Sequence, residues 1–75
     1  MNYYQRLRDL REDSNKSQAE IAEVINTSRS YYSQYERGAK PITLERIIKL
    51  AKFYDVSIDY IVGLTNKKHS YKDWE

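Results

Sequence analysis

Five stretches in which apolar residues recur at helical spacing, separated by short polar links, constrain the fold of this chain most strongly. Each of the last four stretches begins after a Ser or Thr residue, whose side chain can accept a backbone N–H of a helix's first turn. These candidate caps are Ser17, Thr27 or Ser28, Thr43 and Ser57. Glu20 follows Ser17 by three residues and completes a capping box. The pattern predicts an all-α domain of five short helices.

The links between the predicted helices contain residues that tolerate a left-handed backbone. Asn15 follows the first helix, which has Asn2 and Gln5 as a candidate capping box at its start. Asn26 separates the second helix from the third, and Gly38 ends the third. Because Asn and Gly adopt positive φ more readily than other residues, each link is predicted to be a sharp turn.

The fourth stretch divides most clearly into two faces. Its predicted inner face comprises Leu44, Ile47, Ile48, Leu50, Ala51 and Tyr54. Its predicted outer face comprises Glu45, Arg46, Lys49 and Lys52. An apolar stripe opposite a charged face is typical of a helix that packs on a core with one side only.

Eight tyrosines, against one Phe and one Trp, are unusually many for a chain of 75 residues. A tyrosine ring adds apolar volume to a core, while its hydroxyl requires water or a hydrogen-bond partner. Tyr32 and Tyr35 are predicted to fill the space between the second and third helices. The other tyrosines predicted to face the core are Tyr54, Tyr60 and one of Tyr3 and Tyr4.

Composition excludes several classes of protein. The 75 residues suffice for one small domain, and without cysteine they form neither a disulfide nor a thiolate metal site. No apolar run approaches the roughly 18 residues of a membrane span, and the charged N-terminus lacks the apolar segment of a signal peptide. The expectation is a soluble, cytoplasmic protein with no cofactor, no metal site and no membrane partner.

Nothing in the sequence predicts an enzyme. Ser30 has no accompanying His and Asp in the pattern that nucleophilic catalysis needs. Asp55 and Asp59 fall at predicted helix ends, where carboxylates serve as caps, and the lone His69 is interpreted as an ordinary tail residue. The net charge of +2 is too small to indicate nucleic-acid binding by itself, so the placement of the charges decides that question.

The second and third stretches have the pattern of a helix-turn-helix, in which two short helices are joined by a tight link. Ala22 is small enough to let the third helix approach closely, with Tyr32 and Tyr35 facing back onto Ala22 and Ile25. The outer face is then formed by Ser28, Arg29, Ser30, Ser33 and Gln34. Because Arg, Gln and Ser hydrogen-bond to base edges in the major groove, this face indicates a helix that reads DNA. The alternative is an ordinary solvated helix surface.

Four segments, in register, resemble the Cro/C1-type (XRE, phage-repressor-like) helix-turn-helix family. They are SQAEIA at 17–22, SRSYYSQYERG at 28–38, LERIIKLA at 44–51 and VSIDYIVG at 56–63. The resemblance implies a five-helix, lambda-repressor-like DNA-binding domain over residues 1–65, with the helix-turn-helix formed by helices 2 and 3. A polar C-terminal tail over residues 66–75 follows it.

The resemblance also implies roles for individual residues. The base-reading residues on helix 3 are Arg29, Ser30 and Gln34, with Ser33 on the same side. The phosphate-contacting residues are Gln18, which also braces helix 3, and Ser28, Tyr31, Arg37 and Lys40. Arg11 matches a family arginine that pairs with the glutamate ending helix 3, here Glu36. This pair is expected to fix helix 1 against helix 3, and the alternative is an exposed pair worth about 0–1 kcal/mol.

The chain departs from the family pattern at a few positions. Asn26 stands where the family has glycine, which its tolerance of positive φ permits. Lys16 replaces an apolar residue that packs against helix 2, so that contact is expected to be weaker. Tyr31 and Tyr32 replace a smaller residue and an aliphatic one, so the core beneath helix 3 is expected to be bulkier.

The resemblance implies a sequence-specific transcriptional regulator, a repressor, that binds double-stranded DNA as a homodimer on a pseudo-palindromic operator. Candidate residues of the dimer surface are Ile58, Ile61, Leu64 and Trp74. The alternative function is the antitoxin of a toxin–antitoxin pair that also represses its own operon, with Tyr71 and Trp74 binding the toxin. RNA binding is disfavoured, because the outer face of helix 3 lacks stacking aromatics apart from Tyr31.

Overall fold

The computed structural model describes residues 3–71, which fold into five α-helices. They are α1 (Tyr3–Asp13), α2 (Gln18–Val24), α3 (Arg29–Glu36), α4 (Leu44–Tyr54) and α5 (Ile58–Ile61). No strand occurs within the described residues, and the predicted all-α architecture of five helices is confirmed. The cap predicted at Asn2 lies outside the described residues.

Serine and threonine side chains cap α2 to α5. Ser17 Oγ accepts the N–H of Glu20 at 3.1 Å and the Glu20 carboxylate accepts the N–H of Ser17 at 2.9 Å, which completes the predicted capping box. Ser28, rather than Thr27, caps α3 by accepting the N–H of Tyr31. The caps of α4 and α5 are Thr43 and Ser57. The starts of these helices therefore follow from residues adjacent in sequence.

Residues with positive φ make the sharp turns between helices. Asn15 (φ 59°) lies between α1 and α2, and Asn26 (φ 58°) lies between α2 and α3, as predicted. Asp55 (φ 55°) adopts the same conformation after α4, which the sequence pattern did not predict. At Gly38 (φ 73°) a side chain is disfavoured twice, because its Cβ would also lie 2.8 Å from the Tyr4 ring.

The core forms where α1 packs on α3 and α5, α2 packs on α3 and α4, and α4 packs on α5. The largest completely buried side chains are Tyr32, Tyr35, Leu7, Ile21, Ile25, Leu50 and Ile61. Tyr32 and Tyr35 lie in the same buried cluster as Ala22 and Ile25, as predicted for a helix-turn-helix. Two tyrosine rings thus anchor the inner side of α3.

Two expectations for α4 were wrong. Leu44, predicted on the inner face, is 64% exposed, and the apolar position at this end of the helix is filled by Ile42, which precedes the cap. Arg46, predicted on the outer face, is half-buried, and its guanidinium contacts α3. The periodicity of α4 alone did not reveal which side chains its neighbours would cover.

Arg6 joins α1 to the end of α5. Its Nη1 donates to the carbonyls of Tyr60 at 2.7 Å and Thr65 at 2.9 Å, and its Nη2 donates to Asn66 Oδ1 at 2.8 Å. The guanidinium also lies 4.1 Å from the centroid of the Tyr60 ring. Because the C-terminal end of a helix carries partial negative charge, a cation at this place stabilises the end of α5.

Residues 66–71, predicted as part of a polar tail, are hydrogen-bonded to the domain. The N–H of Ser57 donates to the carbonyl of His69 at 2.8 Å. Asp55 Oδ1 accepts from Ser70 Oγ at 2.8 Å and from the N–H of Tyr71 at 3.3 Å. These contacts hold the segment against the junction of α4 and α5.

Candidate nucleic-acid interface

The helix α3 has a buried side and an exposed side. Tyr32 and Tyr35, three residues apart, are buried on its inner side, whereas Arg29 and Ser30 are exposed in its first turn. Ser28 holds that first turn in place through its cap. The N-terminal half of α3 therefore presents polar side chains to solvent, while the buried tyrosines on its opposite side hold the helix against the core.

The structure places the four predicted base-reading residues away from the core, with different exposure. Arg29 and Ser30 are exposed, whereas Ser33 and Gln34 are half-buried. Ser33 Oγ donates to the carbonyl of Ser30 at 2.8 Å, and Gln34 Nε2 approaches the same carbonyl at 3.5 Å. The hydroxyl proton of Ser33 is therefore already used within the helix, while Ser33 Oγ remains an acceptor.

The predicted phosphate-contacting residues lie at both ends of α3. Ser28 and Gln18 are at the N-terminal starts of α3 and α2, and Arg37 and Lys40 follow the C-terminal end of α3. Arg37 and Lys40 are exposed. Tyr31 is 39% exposed, and its ring packs edge-on against that of Tyr35 at 5.4 Å between centroids.

Glu36, the last residue of α3, is buried and accepts four hydrogen bonds. Arg11 donates from Nε at 2.7 Å and from Nη2 at 3.2 Å, Tyr32 donates from its hydroxyl at 2.6 Å, and Gln18 donates from Nε2 at 3.1 Å. The structure thus brings the predicted pair of Arg11 and Glu36 together and adds Gln18 and Tyr32 to it. Donors from α1, α2 and α3 meet at one carboxylate.

The electrostatics of this cluster favour a charged Glu36. Burial raises the pKa of Glu36, but the hydrogen bonds from Arg11, Tyr32 and Gln18 outweigh it and hold the pKa below its usual range. The hydrogen bond to Glu36 raises the pKa of Arg11. Burial, together with the adjacent carboxylate, raises the pKa of the Tyr32 hydroxyl, so it remains a donor. The Glu36 cluster is therefore a compensated buried charge.

Basic side chains around α3 have no acidic partner in the described part of the chain. Within residues 3–71, ion pairs up to 4.0 Å involve only Arg11 and Lys68 as cations. The cations without such a partner near α3 are Arg29, Arg37, Lys40 and Arg46. Arg46 was not predicted as a candidate from the sequence. Its guanidinium donates to the hydroxyl of the buried Tyr35. The signal that could have indicated it is that a buried tyrosine hydroxyl needs a hydrogen-bond partner. The net charge of +2 conceals this local accumulation of positive charge.

Comparison with known proteins decides the family. The family model described as Helix-turn-helix matches residues 7–61, which include all of α2, α3, α4 and α5. The chain belongs to the helix-turn-helix family. The resemblance to Cro/C1-type regulators seen in the sequence is confirmed.

The relatives of this helix-turn-helix chain are transcriptional regulators. The uncharacterized HTH-type transcriptional regulator YobD of Bacillus subtilis is 44% identical over 64 residues, covering 85% of this chain and 57% of YobD. The cryptic phage CTXphi transcriptional repressor RstR of Vibrio cholerae is 40% identical over 58 residues, covering 77% of this chain and 52% of RstR. The chain spans about half the length of these curated relatives.

A solved structure confirms the lambda-repressor-like fold. The P22 c2 repressor protein, crystallised in complex with synthetic operator 9T, matches with a TM-score of 0.74 and 26% identity. The match covers 81% of this chain and 92% of that chain. The helix-turn-helix of this chain is thus α2 and α3, set in the five-helix fold predicted from the sequence.

The residues suggested for a dimer surface differ in their exposure to solvent. Leu64, which follows α5, is 69% exposed, and Ile58 is half-buried. Ile61 is completely buried in the core, so including it was wrong: its side chain supports α5 from the inside. Trp74 lies outside the described residues.

Other functional classes receive no support from residues 3–71. No cluster of three metal-ligating side chains occurs there, and no described helix is long and apolar enough to cross a membrane. Tyr71, suggested as a toxin-binding residue, packs half-buried against the core of its own chain. The relatives named above are regulators and repressors, which does not favour the antitoxin alternative.

Proposed function

We propose that this chain is a sequence-specific DNA-binding repressor that inserts α3 into the major groove of its operator. The observation that carries the proposal is the position of Arg29 and Ser30, exposed in the first turn of a helix whose opposite side is anchored by Tyr32 and Tyr35. A rigidly held helix with a polar outer face suits base readout, because base edges are distinguished by hydrogen bonds of fixed direction. The P22 c2 repressor, which shares this fold, was crystallised with an operator.

Four residues are proposed to read bases. Arg29 is suited to guanine, where its guanidinium can donate to O6 and N7 together. Gln34 is suited to adenine, once its amide leaves the weak 3.5 Å contact with the Ser30 carbonyl. Ser30 and Ser33 are small polar residues that can bond to several bases, and Ser33 is expected to act mainly as an acceptor.

Five residues are proposed to bind phosphates and set the position of α3. Gln18 uses one amide N–H on Glu36, and its second N–H is left for a phosphate at the start of α2. The Ser28 hydroxyl accepts from the backbone at the cap and keeps its own proton as a donor. Charge at the other end of α3 is supplied by Arg37 and Lys40, and the ring of Tyr31, whose hydroxyl is the fifth proposed donor, lies 5.6 Å from Lys40 Nζ. Such contacts orient a protein on DNA without reading its sequence.

The proposed binding unit is a homodimer on a pseudo-palindromic operator. One helix of this length contacts few base pairs, and two copies related by two-fold symmetry read two half-sites roughly 34 Å apart. The exposed Leu64 and the half-buried Ile58 are the proposed centre of the dimer surface.

Selection of bound duplexes from a random DNA pool tests the function directly. We expect an enriched pseudo-palindrome with half-sites about one helical turn apart, bound at least ~1,000-fold more tightly than a scrambled duplex at physiological salt. The mass of the complex in sedimentation gives the number of protein copies. A pool that yields no enriched motif would overturn the proposal, and a single unrepeated motif bound by one copy would overturn the dimer.

A further inference from the structure

Arg46, in the first turn of α4, is oriented by residues of α3. Its Nη1 donates to the hydroxyl of Tyr35 at 2.5 Å, and this tyrosine is buried. The guanidinium carbon lies 5.8 Å from the centroid of the Tyr31 ring and 5.9 Å from that of the Tyr35 ring. A long, flexible side chain is therefore fixed by one hydrogen bond and two aromatic faces.

A second cation lies at the same aromatic ring. Lys40 Nζ is 5.6 Å from the centroid of Tyr31, so Lys40 and Arg46 both lie beside one exposed tyrosine. Throughout residues 3–71, no carboxylate lies within 4.0 Å of either cation. Because like charges repel, two cations near one ring without a counter-ion lower the stability of the free protein unless ring contacts compensate. An anion at this place would be attracted by both.

Arg46 also has donors to offer such an anion. A guanidinium has five N–H groups, and in the described residues Arg46 uses one of them, on Tyr35. The acceptor is a neutral hydroxyl, which orients the guanidinium without cancelling its charge. The planar array of N–H groups matches the oxygens of a phosphate.

We propose that Arg46 and Lys40, which both lie near the Tyr31 ring, bind one phosphate of the DNA backbone beside α3. The inference rests on the proposed function and deepens it by adding Arg46 to the DNA-binding residues. Tyr35 is the positioning residue, since its hydroxyl holds Arg46 while its ring stays in the core. This contact would hold α3 on the DNA through a side chain of α4.

The test compares Arg46→Met with Lys52→Met in the full chain, by titrating the selected operator and a scrambled duplex between 50 and 200 mM salt. Both variants remove one positive charge from α4, but Lys52 lies near the opposite end of the helix, beside Tyr71. Arg46→Met should weaken binding to both duplexes about three- to tenfold at the lower salt. It should also reduce the magnitude of the slope of log K against log salt by about 0.9 for each phosphate that the variant no longer neutralises. Lys52→Met should leave this slope unchanged.

Tyr35→Phe separates positioning from packing, because it keeps the ring and removes only the hydroxyl. It should weaken DNA binding in the presence of Arg46 and have no further effect in the Arg46→Met background. Thermal denaturation of each variant, measured alongside, shows whether the protein remains folded under the binding conditions. If Tyr35→Phe does not fold, Lys40→Met tests the same site instead. This variant should also lower the magnitude of the salt slope.

The outcomes are distinguishable. If the wild-type chain binds no preferred sequence, the proposed function fails. If it binds an operator but Arg46→Met matches Lys52→Met in affinity and slope, the function stands and this inference is overturned. Weaker binding to the operator alone, with the scrambled duplex unaffected, would also overturn it, because a phosphate contact acts on all sequences.

Discussion

Arg11 of α1 and Glu36 of α3 are joined by two hydrogen bonds, at 2.7 and 3.2 Å, across 25 residues of sequence. The Arg11 Nη1 also donates to the carbonyl of Lys16 at 3.0 Å, in the turn that leads into α2. One guanidinium therefore fixes the end of α3 to α1 and to the approach of α2. The orientation of α3 depends on this side chain.

Replacing Arg11 should destabilise the fold strongly. Arg11→Met keeps most of the aliphatic stem but leaves the buried Glu36 carboxylate without its cation, at a cost of about 3–5 kcal/mol in the free energy of unfolding. Urea denaturation at neutral pH measures this cost. Arg8→Met, which removes an exposed arginine from the same helix, is the matched control and should change stability by less than about 0.5 kcal/mol.

The double variant with Glu36→Gln tests the cause. Because it removes the uncompensated charge, Arg11→Met with Glu36→Gln should be less destabilised than the sum of the single variants. Strict additivity would mean that the two side chains do not interact.

The stability of the protein should depend on the protonation of Glu36 in acid. Burial raises the pKa of Glu36, but the hydrogen bonds from Arg11, Tyr32 and Gln18 outweigh it and lower the pKa overall. The native state therefore binds this proton less tightly than the unfolded state. The stabilisation is complete above the unfolded value of about 4.3, and it is lost as the pH falls through the folded pKa.

An NMR titration of the side-chain carboxyl carbon of Glu36 measures this pKa directly. The expected midpoint lies below about 4.3, the value of an unperturbed glutamate. A midpoint above that value would show that burial, and not hydrogen bonding, dominates at this site.

Arg29 and Arg37 should differ in their effect on DNA binding. Arg29→Ala should cost about 1–3 kcal/mol on the preferred operator and relax the choice at one base pair, since Arg29 is proposed to read a base. Arg37→Ala should weaken all sequences alike and reduce the magnitude of the salt slope by about one. Binding of both variants to a set of single-base operator mutants measures the difference. Equal weakening across that set for both variants would show that the roles are assigned wrongly.

Gly38→Ala should destabilise the turn after α3. Positive φ at this position costs a residue with a Cβ about 1–2 kcal/mol, and the added atom would lie 2.8 Å from the Tyr4 ring. Thermal denaturation of Gly38→Ala, with and without Tyr4→Ala, separates the two causes. The substitution should cost less in the Tyr4→Ala background; an unchanged cost would assign the whole effect to the backbone.

The sequence predicted best those features that depend on neighbouring residues. Ser17 with Glu20, and Asn26 at the helix-turn-helix link, have roles that follow from residues a few positions away, and the structure confirms them. The paired tyrosines Tyr32 and Tyr35 were also predictable, because three-residue spacing places both on one side of α3. Local chemistry and helical periodicity were sufficient for these features.

Features that depend on distant segments could not be predicted in this way. Leu44 fits the apolar stripe of α4 but is exposed, because whether a neighbour covers it is not encoded in the periodicity. Arg46 looks like a solvated residue until the fold brings the Tyr35 hydroxyl to it. Asp55 has a left-handed backbone, and its carboxylate accepts hydrogen bonds from Ser70 and Tyr71. These contacts likewise depend on the path of the segment that follows α5.

The meeting of three helices at Glu36 has an evolutionary consequence. The residues that hold α3 in place and the residues proposed to read DNA occupy different sides of the same helix. If Arg29 and Ser30 read bases as proposed, substitutions there should alter the recognised sequence with little effect on folding, whereas substitutions at Tyr32 or Glu36 should alter folding first. Under the proposed function, a gene with this architecture would acquire a new operator by exchanging a few exposed side chains, and its descendants would diverge in target while retaining the same scaffold.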